Sequence, residues 1–145
     1  MLKSLSTLIK IHKAQLDDKR KQLAILLDNK QQKIDEIKWL EESIMIEGNN
    51  LHQLNEEFRP TFLGYLTGVR MKEGILLDEI EKLNPRINEV TDEISEIFSE
   101  MKKYEIVKDN REEQIESELA RREQMEIDEM AIMTFVRKTD FEYYN

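Results

Sequence analysis

Apolar residues recur along the chain with the period of a helix and not of a strand. Stepping by seven from Leu2 to Phe58, eight of the nine positions are apolar, and Lys30 is the exception. A second series, with alternating spacings of four and three, runs from Phe62 to Val136, and sixteen of its 22 positions are apolar. Such a repeat keeps one stripe of a helix against a partner when the helices supercoil. The pattern therefore predicts two long helices, each with one apolar seam.

A short interruption, Arg59-Pro60-Thr61, separates the two seams. Proline suits the first turn of a helix and not its interior, and three glycines follow within the next fourteen residues. We therefore predict an all-α fold in which two long helices form an antiparallel coiled-coil hairpin, with arms of about 80 and 110 Å. The predicted parts are residues 1–58 as the first coiled-coil arm, 59–74 as the turn region, 75–138 as the second coiled-coil arm and 139–145 as a frayed tail.

Two sites weaken the predicted helices. Gly48-Asn49-Asn50 is a poor helix former, yet the seam stays in phase on both sides, which favours a continuous helix. Asn84-Pro85 resembles the start of a helix, because Asn is a good N-cap and Pro a good first residue. The seam also passes through this pair without a slip, which favours a kink over a new helix. Both alternatives stay open at this stage.

Composition and charge narrow the range of functions. Of the 145 residues 37% are charged, none is Cys, and the net charge is −9. The lack of Cys excludes disulfides and thiolate metal sites, and the negative charge opposes nucleic-acid binding. The basic cluster Lys19-Arg20-Lys21 follows Asp17-Asp18 and is typical of an intrahelical charge pattern. No apolar run is long enough to span a membrane and no secretory signal is evident, so we expect a soluble cytoplasmic protein.

The sign of the charge differs between the arms. Residues 1–38 carry nine basic and five acidic residues, whereas the remaining 107 carry 13 basic and 26 acidic residues. The acidic excess is high in Arg111–Glu129. An antiparallel hairpin is expected to lay the basic first arm beside this acidic segment.

The sequence lacks the groups that catalysis or cofactor binding would need. It contains no glycine-rich phosphate loop and no metalloprotease motif, and its two histidines, His12 and His52, are 40 residues apart. His12 falls in the seam, where a partly buried histidine is the expected role. A two-helix protein also has almost no interior for a pocket. We therefore expect no enzyme activity, no cofactor and no metal.

Two groups of apolar residues exceed what one seam needs. Near the turn, Leu63 and Tyr65 lie off the seam, and the group either caps the bend or forms a docking patch. The second group either packs against the N-terminal turns, Leu2 to Ile11, or forms an adaptable partner surface. Its members are Met125, Ile127, Met130, Ile132, Met133, Phe135 and Val136.

One segment resembles a known family. The run from Ala120 to Ala131, Ala-Arg-Arg-Glu-Gln-Met-Glu-Ile-Asp-Glu-Met-Ala, followed by Arg137-Lys138, resembles the C-terminal signature of the FliJ family, the stalk proteins of flagellar type III export. The opening Leu5–Ile11 and the aromatic residues after the first arm are also similar to that family. Outside the C-terminal signature the similarity is that of a generic coiled coil.

The resemblance implies a non-enzymatic stalk that inserts into the hexameric export ATPase, promotes its assembly and activity, and links it to the export gate. It also implies exchange of export chaperones, a monomer in isolation, and a cytoplasmic location peripheral to the inner-membrane export apparatus. The injectisome counterpart has the same architecture, and a structural tether or scaffold is the alternative from another class. The residues implied for the ATPase end are Arg121, Arg122, Gln124, Asp128, Glu129 and Arg137; those implied for the gate end are Phe62, Tyr65, Val69 and Leu76.

Overall fold

The computed structural model describes residues 2–51 and 56–144, with side chains through residue 140. Helix α1 spans Leu2–Leu51, one turn of 3-10 helix spans Glu56–Phe58, and helix α2 spans Arg59–Tyr144. Every described residue is helical and none of them lies in a strand. The two helices pack against each other, so the predicted all-α hairpin is confirmed.

The helix boundaries differ from the predicted ones. Residues 59–74, predicted as a turn region, belong to α2, and the predicted frayed tail is helical through Tyr144. Pro60 is tolerated because it is the second residue of α2, where a backbone N–H has no partner within the helix. The glycines of this stretch all keep negative φ angles, so none of them forces a turn. The first arm, predicted to span residues 1–58, is α-helical over Leu2–Leu51, residues 52–55 lie outside the described residues, and Glu56–Phe58 forms a 3-10 turn.

Both weak points lie inside continuous helix. Gly48-Asn49-Asn50 belongs to the last turns of α1, as the unbroken seam predicts. Pro85 lies within α2, so no new helix begins at Asn84-Pro85. Seam burial on both sides of Pro85 compensates for the hydrogen bond that proline cannot donate. Val90, one turn beyond, is fully buried.

The chain divides into two units, which are described separately: unit 1 is Met1–His12 with Ser99–Asn145, and unit 2 is Lys13–Phe98. The core of unit 2 contains buried Leu40 of α1 against buried Val69 and Leu76 of α2. Ile37 and Ile44 pack against this cluster. These are the predicted seam positions, so seam burial is confirmed here.

Salt bridges across the helices of unit 2 establish the antiparallel register. Lys19 contacts Glu93, and Lys33 Nζ lies 2.8 Å from Glu79 Oε2. The two lysines are fourteen residues apart, and their partners are fourteen residues apart in the reverse order, which equals two heptads. The predicted pairing of the basic first arm with residues 111–129 is therefore wrong, because this register sets the basic residues of unit 2 against Glu79 and Glu93.

Unit 1 has a short paired part and a long unpaired part. Leu5 of α1 and Met101 of α2 are buried, and the rings of His12 and Tyr104 are 5.2 Å apart. Beyond this paired part, all residues 121–140 of α2 are exposed. We call residues 121–140 the helical extension.

Candidate functional site

Every side chain of the helical extension, residues 121–140, is exposed in the described chain. Leu2 and Arg122 line the same open groove, of about 520 Å³, together with residues of α2 between them. Of the two alternatives for the apolar C-terminal group, packing against the N-terminal turns is wrong, because its side chains are exposed. Its seven members are all exposed: Met125, Ile127, Met130, Ile132, Met133, Phe135 and Val136.

The apolar side chains of the extension occupy more than one side of the helix. Met125, Ile132 and Val136 continue the seam and share one side. At roughly 100° per residue, Ile127 and Met130 lie on the opposite side. Met130 is 68% exposed. A helix that is apolar on several sides is typically buried on several sides, so one partner helix would leave half of this surface in water.

Glu118 and Arg121 form the best-defined polar contact at the base of the extension. Arg121 Nη2 lies 2.9 Å from Glu118 Oε1 and Arg121 Nε lies 3.3 Å from Glu118 Oε2, which makes the pair bidentate. Arg122 Nε adds a contact of 3.4 Å to Glu118 Oε1. The hydrogen bonds and charge of Arg121, supported by Arg122, hold the pKa of the Glu118 carboxyl below its usual range. The same pairing raises the pKa of Arg121.

The six residues implied for the ATPase end do not form one cluster. Arg121, Gln124 and Asp128 share one side of α2, where Gln124 Nε2 donates to Asp128 Oδ1 over 3.0 Å. Arg122 and Glu129, seven residues apart, lie on a neighbouring side. Arg137 lies on a third side. All six are exposed and accessible to a partner: Arg121, Arg122, Gln124, Asp128, Glu129 and Arg137.

The four residues implied for the gate end divide into two kinds. Val69 and Leu76 are buried in the core of unit 2 and are inaccessible while the helices are paired. They are seam residues, so their burial against α1 excludes them from a docking surface. Phe62 is half-buried and Tyr65 is exposed, with their rings 6.4 Å apart. The accessible residues of the implied gate end are therefore the aromatic Phe62 and Tyr65, which lie outside the core cluster of unit 2.

A groove adjoins these aromatic rings. Phe62 and Tyr65 line it together with Phe58, Leu51 and Glu47, and its volume is about 360 Å³. Phe58 is 49% exposed although the seven-residue repeat predicts it in the seam. It lies in the 3-10 turn, where the heptad phase no longer applies, so sequence periodicity alone missed it as a surface residue.

The described residues offer neither a metal site nor a membrane span. Within residues 2–51 and 56–140, no three His, Asp or Glu side chains converge as a group that could hold a metal ion. No helix in the same ranges is long and apolar enough to cross a bilayer. The two candidate surfaces of the described chain are the helical extension and the groove beside Tyr65.

Comparisons with known proteins found no relative: no family model, no curated protein and no solved structure matches the chain.

Proposed function

We propose that this chain is a non-enzymatic stalk and escort component of the flagellar type III protein export apparatus. In this role it binds the hexameric export ATPase, promotes assembly and activity of the hexamer, and couples it to the cytoplasmic domain of the export gate and to export chaperones. Its location is cytoplasmic and peripheral to the inner-membrane export apparatus. The resemblance of residues 120–138 to the signature of that family is the starting point for the proposal.

One observation carries the proposal furthest: the helical extension is exposed and apolar on opposite sides. Ile127 and Met130 face away from the seam side chains Met125 and Ile132, and all four are exposed. A ring of subunits surrounds a central helix and covers all its sides, whereas one helix covers a single stripe. Methionine also suits a surface that meets several subunits in turn, because its unbranched side chain adapts to different neighbours.

The proposed mechanism is mechanical and allosteric. The extension enters the ring and favours contacts between subunits, while ATP hydrolysis belongs to the partner. The carboxylates and guanidinium groups around the apolar surface supply orientation: Arg122 and Glu129 lie on one side, and Arg121 with Asp128 on another. The aromatic groove beside Tyr65 is the proposed contact with the gate.

The structural tether remains the second candidate, and one feature favours it. Met125, Ile132 and Val136 prolong the seam by a further two heptads, which is the surface that a second coiled-coil helix would cover. A tether of this kind would be a stable dimer in solution. The stalk is expected to be a monomer, so light scattering coupled to size exclusion separates the two.

Two double variants test whether the ATPase ring surrounds the extension. The assay measures the ATPase rate of the purified candidate ATPase. Met125→Ser with Ile132→Ser removes the seam side, and Ile127→Ser with Met130→Ser removes the opposite side. The stalk proposal expects both pairs to reduce the stimulation at least tenfold. If only the variant of the seam side reduced the stimulation, the extension would instead bind its partner as a one-sided coiled coil.

A matched control and a polar variant complete the experiment. Ile25→Ser with Ile34→Ser changes two exposed apolar residues of α1 in unit 2 and should leave the stimulation unchanged. Arg122→Ala with Glu129→Ala should keep the helical circular dichroism and reduce the stimulation. Full stimulation by this polar double variant would contradict the assignment of those two residues.

A further inference from the structure

His12 is the one histidine within the described residues, and both of its ring nitrogens face oxygen acceptors. Nδ1 lies 2.8 Å from the carbonyl oxygen of Leu8, and Nε2 lies 3.1 Å from Glu100 Oε2. A neutral imidazole has one N–H and satisfies only one of these acceptors. The doubly protonated imidazolium satisfies both, and it also carries the charge that complements the Glu100 carboxylate.

The surroundings of His12 make this contact sensitive to protonation. The side chain is only 12% exposed, and the Tyr104 ring packs on it at 5.2 Å with a tilt of 59°. From α2 the titratable groups facing it are Glu100 and Tyr104, and the nearby Lys103 is exposed. On α1, positions 8, 9, 15 and 16 hold Leu, Ile, Gln and Leu, so no charged residue lies one turn away. Lys10 and Lys13 are exposed on other sides of α1.

We propose that His12 is a pH-sensitive latch that holds the first turns of α1 onto α2 when it is protonated and releases them when it is neutral. The contact belongs to unit 1, where Leu5 and Met101 are the buried apolar residues. Leu2, Leu8 and Ile9 of these turns are half-buried. The contact of His12 with Glu100, whose side chain is 62% exposed, adds a pH-dependent contribution to this apolar packing. Release would uncover Met101 and Tyr104 and lengthen the exposed part of α2. The latch does not depend on the export function proposed above.

The sign of the effect follows from the direction of the pKa. Hydrogen bonds to Leu8 and then to Glu100 raise the pKa of His12 above its ordinary value of 6.5. The docked state therefore binds the proton more tightly than the undocked state. The stabilisation is complete below the pKa of the undocked state and is lost as the pH rises through the higher, docked pKa. Each full unit between the two pKa values corresponds to about a tenfold change in the docking equilibrium.

Two measurements on the full chain test the latch, with His52→Gln as background so that one imidazole remains. NMR titration gives the pKa of His12, and hydrogen exchange of residues 2–11, corrected for the intrinsic pH dependence, gives the undocking equilibrium. We expect a pKa above 6.5 and faster corrected exchange as the pH rises through it, by the factor that the shift in pKa dictates. A pKa at or below 6.5, or corrected exchange that does not change across the titration, would overturn the proposal.

Variants of the carboxylate partner separate the latch from a merely structural histidine. Glu100→Gln keeps a hydrogen-bond acceptor but removes the charge, so it should lower the pKa of His12 and reduce the pH dependence of exchange. Glu105→Gln is the matched control, because Glu105 bonds Lys102 on its own helix and should leave the pKa of His12 unchanged. Equal pKa values in wild type and Glu100→Gln would also overturn the latch.

Discussion

Residues 66–97 and residues 121–140 of α2 have the same alternating spacing of apolar residues but differ in the burial of those residues. In the first stretch, which belongs to unit 2, the seam positions are buried or half-buried against α1, and Val90 is fully buried. In the second, the helical extension, every seam position is exposed. A heptad repeat thus specifies which side of a helix can pack against another helix, but it does not specify whether that second helix belongs to the same chain.

The two stretches also differ around the helix. In residues 66–97 the positions off the seam are largely polar or small, with Met71, Ile75 and Leu77 as exposed apolar exceptions. In the extension the side opposite the seam carries Ile127 and Met130 within one turn of each other. The extension therefore has the apolar distribution of a buried helix, although its side chains are exposed. Two comparisons of matched residues test this contrast, and a third compares Glu93 with Glu118, which lies just before the extension.

Truncating a matched pair of seam residues should give the largest difference in stability. Leu76→Ala removes a core side chain that is 6% exposed, so it should lower the free energy of unfolding by about 2–5 kcal/mol. Ile132→Ala is in the same phase of the repeat but has no neighbour to lose, and should change the stability by less than about 0.5 kcal/mol. Urea denaturation followed by circular dichroism measures both. A similar large loss for Ile132→Ala would show that the extension is packed within the chain.

Acidic seam residues should show a smaller effect of opposite sign. Glu73 is buried in unit 2, where Arg70 holds one carboxylate oxygen at 2.8 Å and the other oxygen has no hydrogen-bond partner. Glu73→Leu should raise the free energy of unfolding by about 1–2 kcal/mol, because it replaces this buried charge by an apolar seam side chain. Glu129→Leu, its counterpart in the exposed extension, should have no such effect. Thermal melts of the two variants give the comparison, and destabilisation by Glu73→Leu would contradict the seam assignment.

The pH dependence of two carboxylates should give the smallest effect. Lys19 lowers the pKa of Glu93 across the two helices, and Arg121 lowers the pKa of Glu118 within α2. Each contribution is present above the pKa of the unfolded chain and is lost as the pH falls through the lower, folded pKa. Only the Glu93 contact joins the two helices, so Glu93→Gln should reduce the loss of stability in acid more than Glu118→Gln. Denaturation midpoints at neutral and acidic pH provide the test; an equal reduction by both variants would contradict it.

Most of the fold could be predicted from the sequence. The seam that contains Leu40, Val69 and Leu76 repeats over many heptads, and the structure buries these residues as the repeat indicates. The prediction of a turn over residues 59–74 is wrong, because Pro60 and the glycines after it do not break α2. Proline near a helix start and glycine inside a helix carry only local costs, and a long seam outweighs them.

The candidate site was less predictable. Which seam positions of α2 are buried depends on the register between the helices, and no local pattern encodes that register. Glu118, Arg122 and Ile132 have the same seam phase as Val69, yet only the structure separates the covered residues from the exposed ones. The contact of His12 with Glu100 likewise joins residues 88 positions apart. The repeat predicts a partly buried histidine at position 12, but no pattern in the sequence identifies its partner.

The central claim is that the helical extension is a surface enclosed by a ring-shaped partner. Hydrogen exchange of the full chain, alone and with the assembled hexameric export ATPase, tests it most directly. The account predicts rapid exchange of residues 121–140 in isolation. In the complex it predicts strong protection of the seam residues Met125 and Ile132 and also of Ile127 and Met130 on the opposite side, with residues 66–97 unchanged. Exchange in the extension that is equally rapid with and without the hexamer would contradict the account.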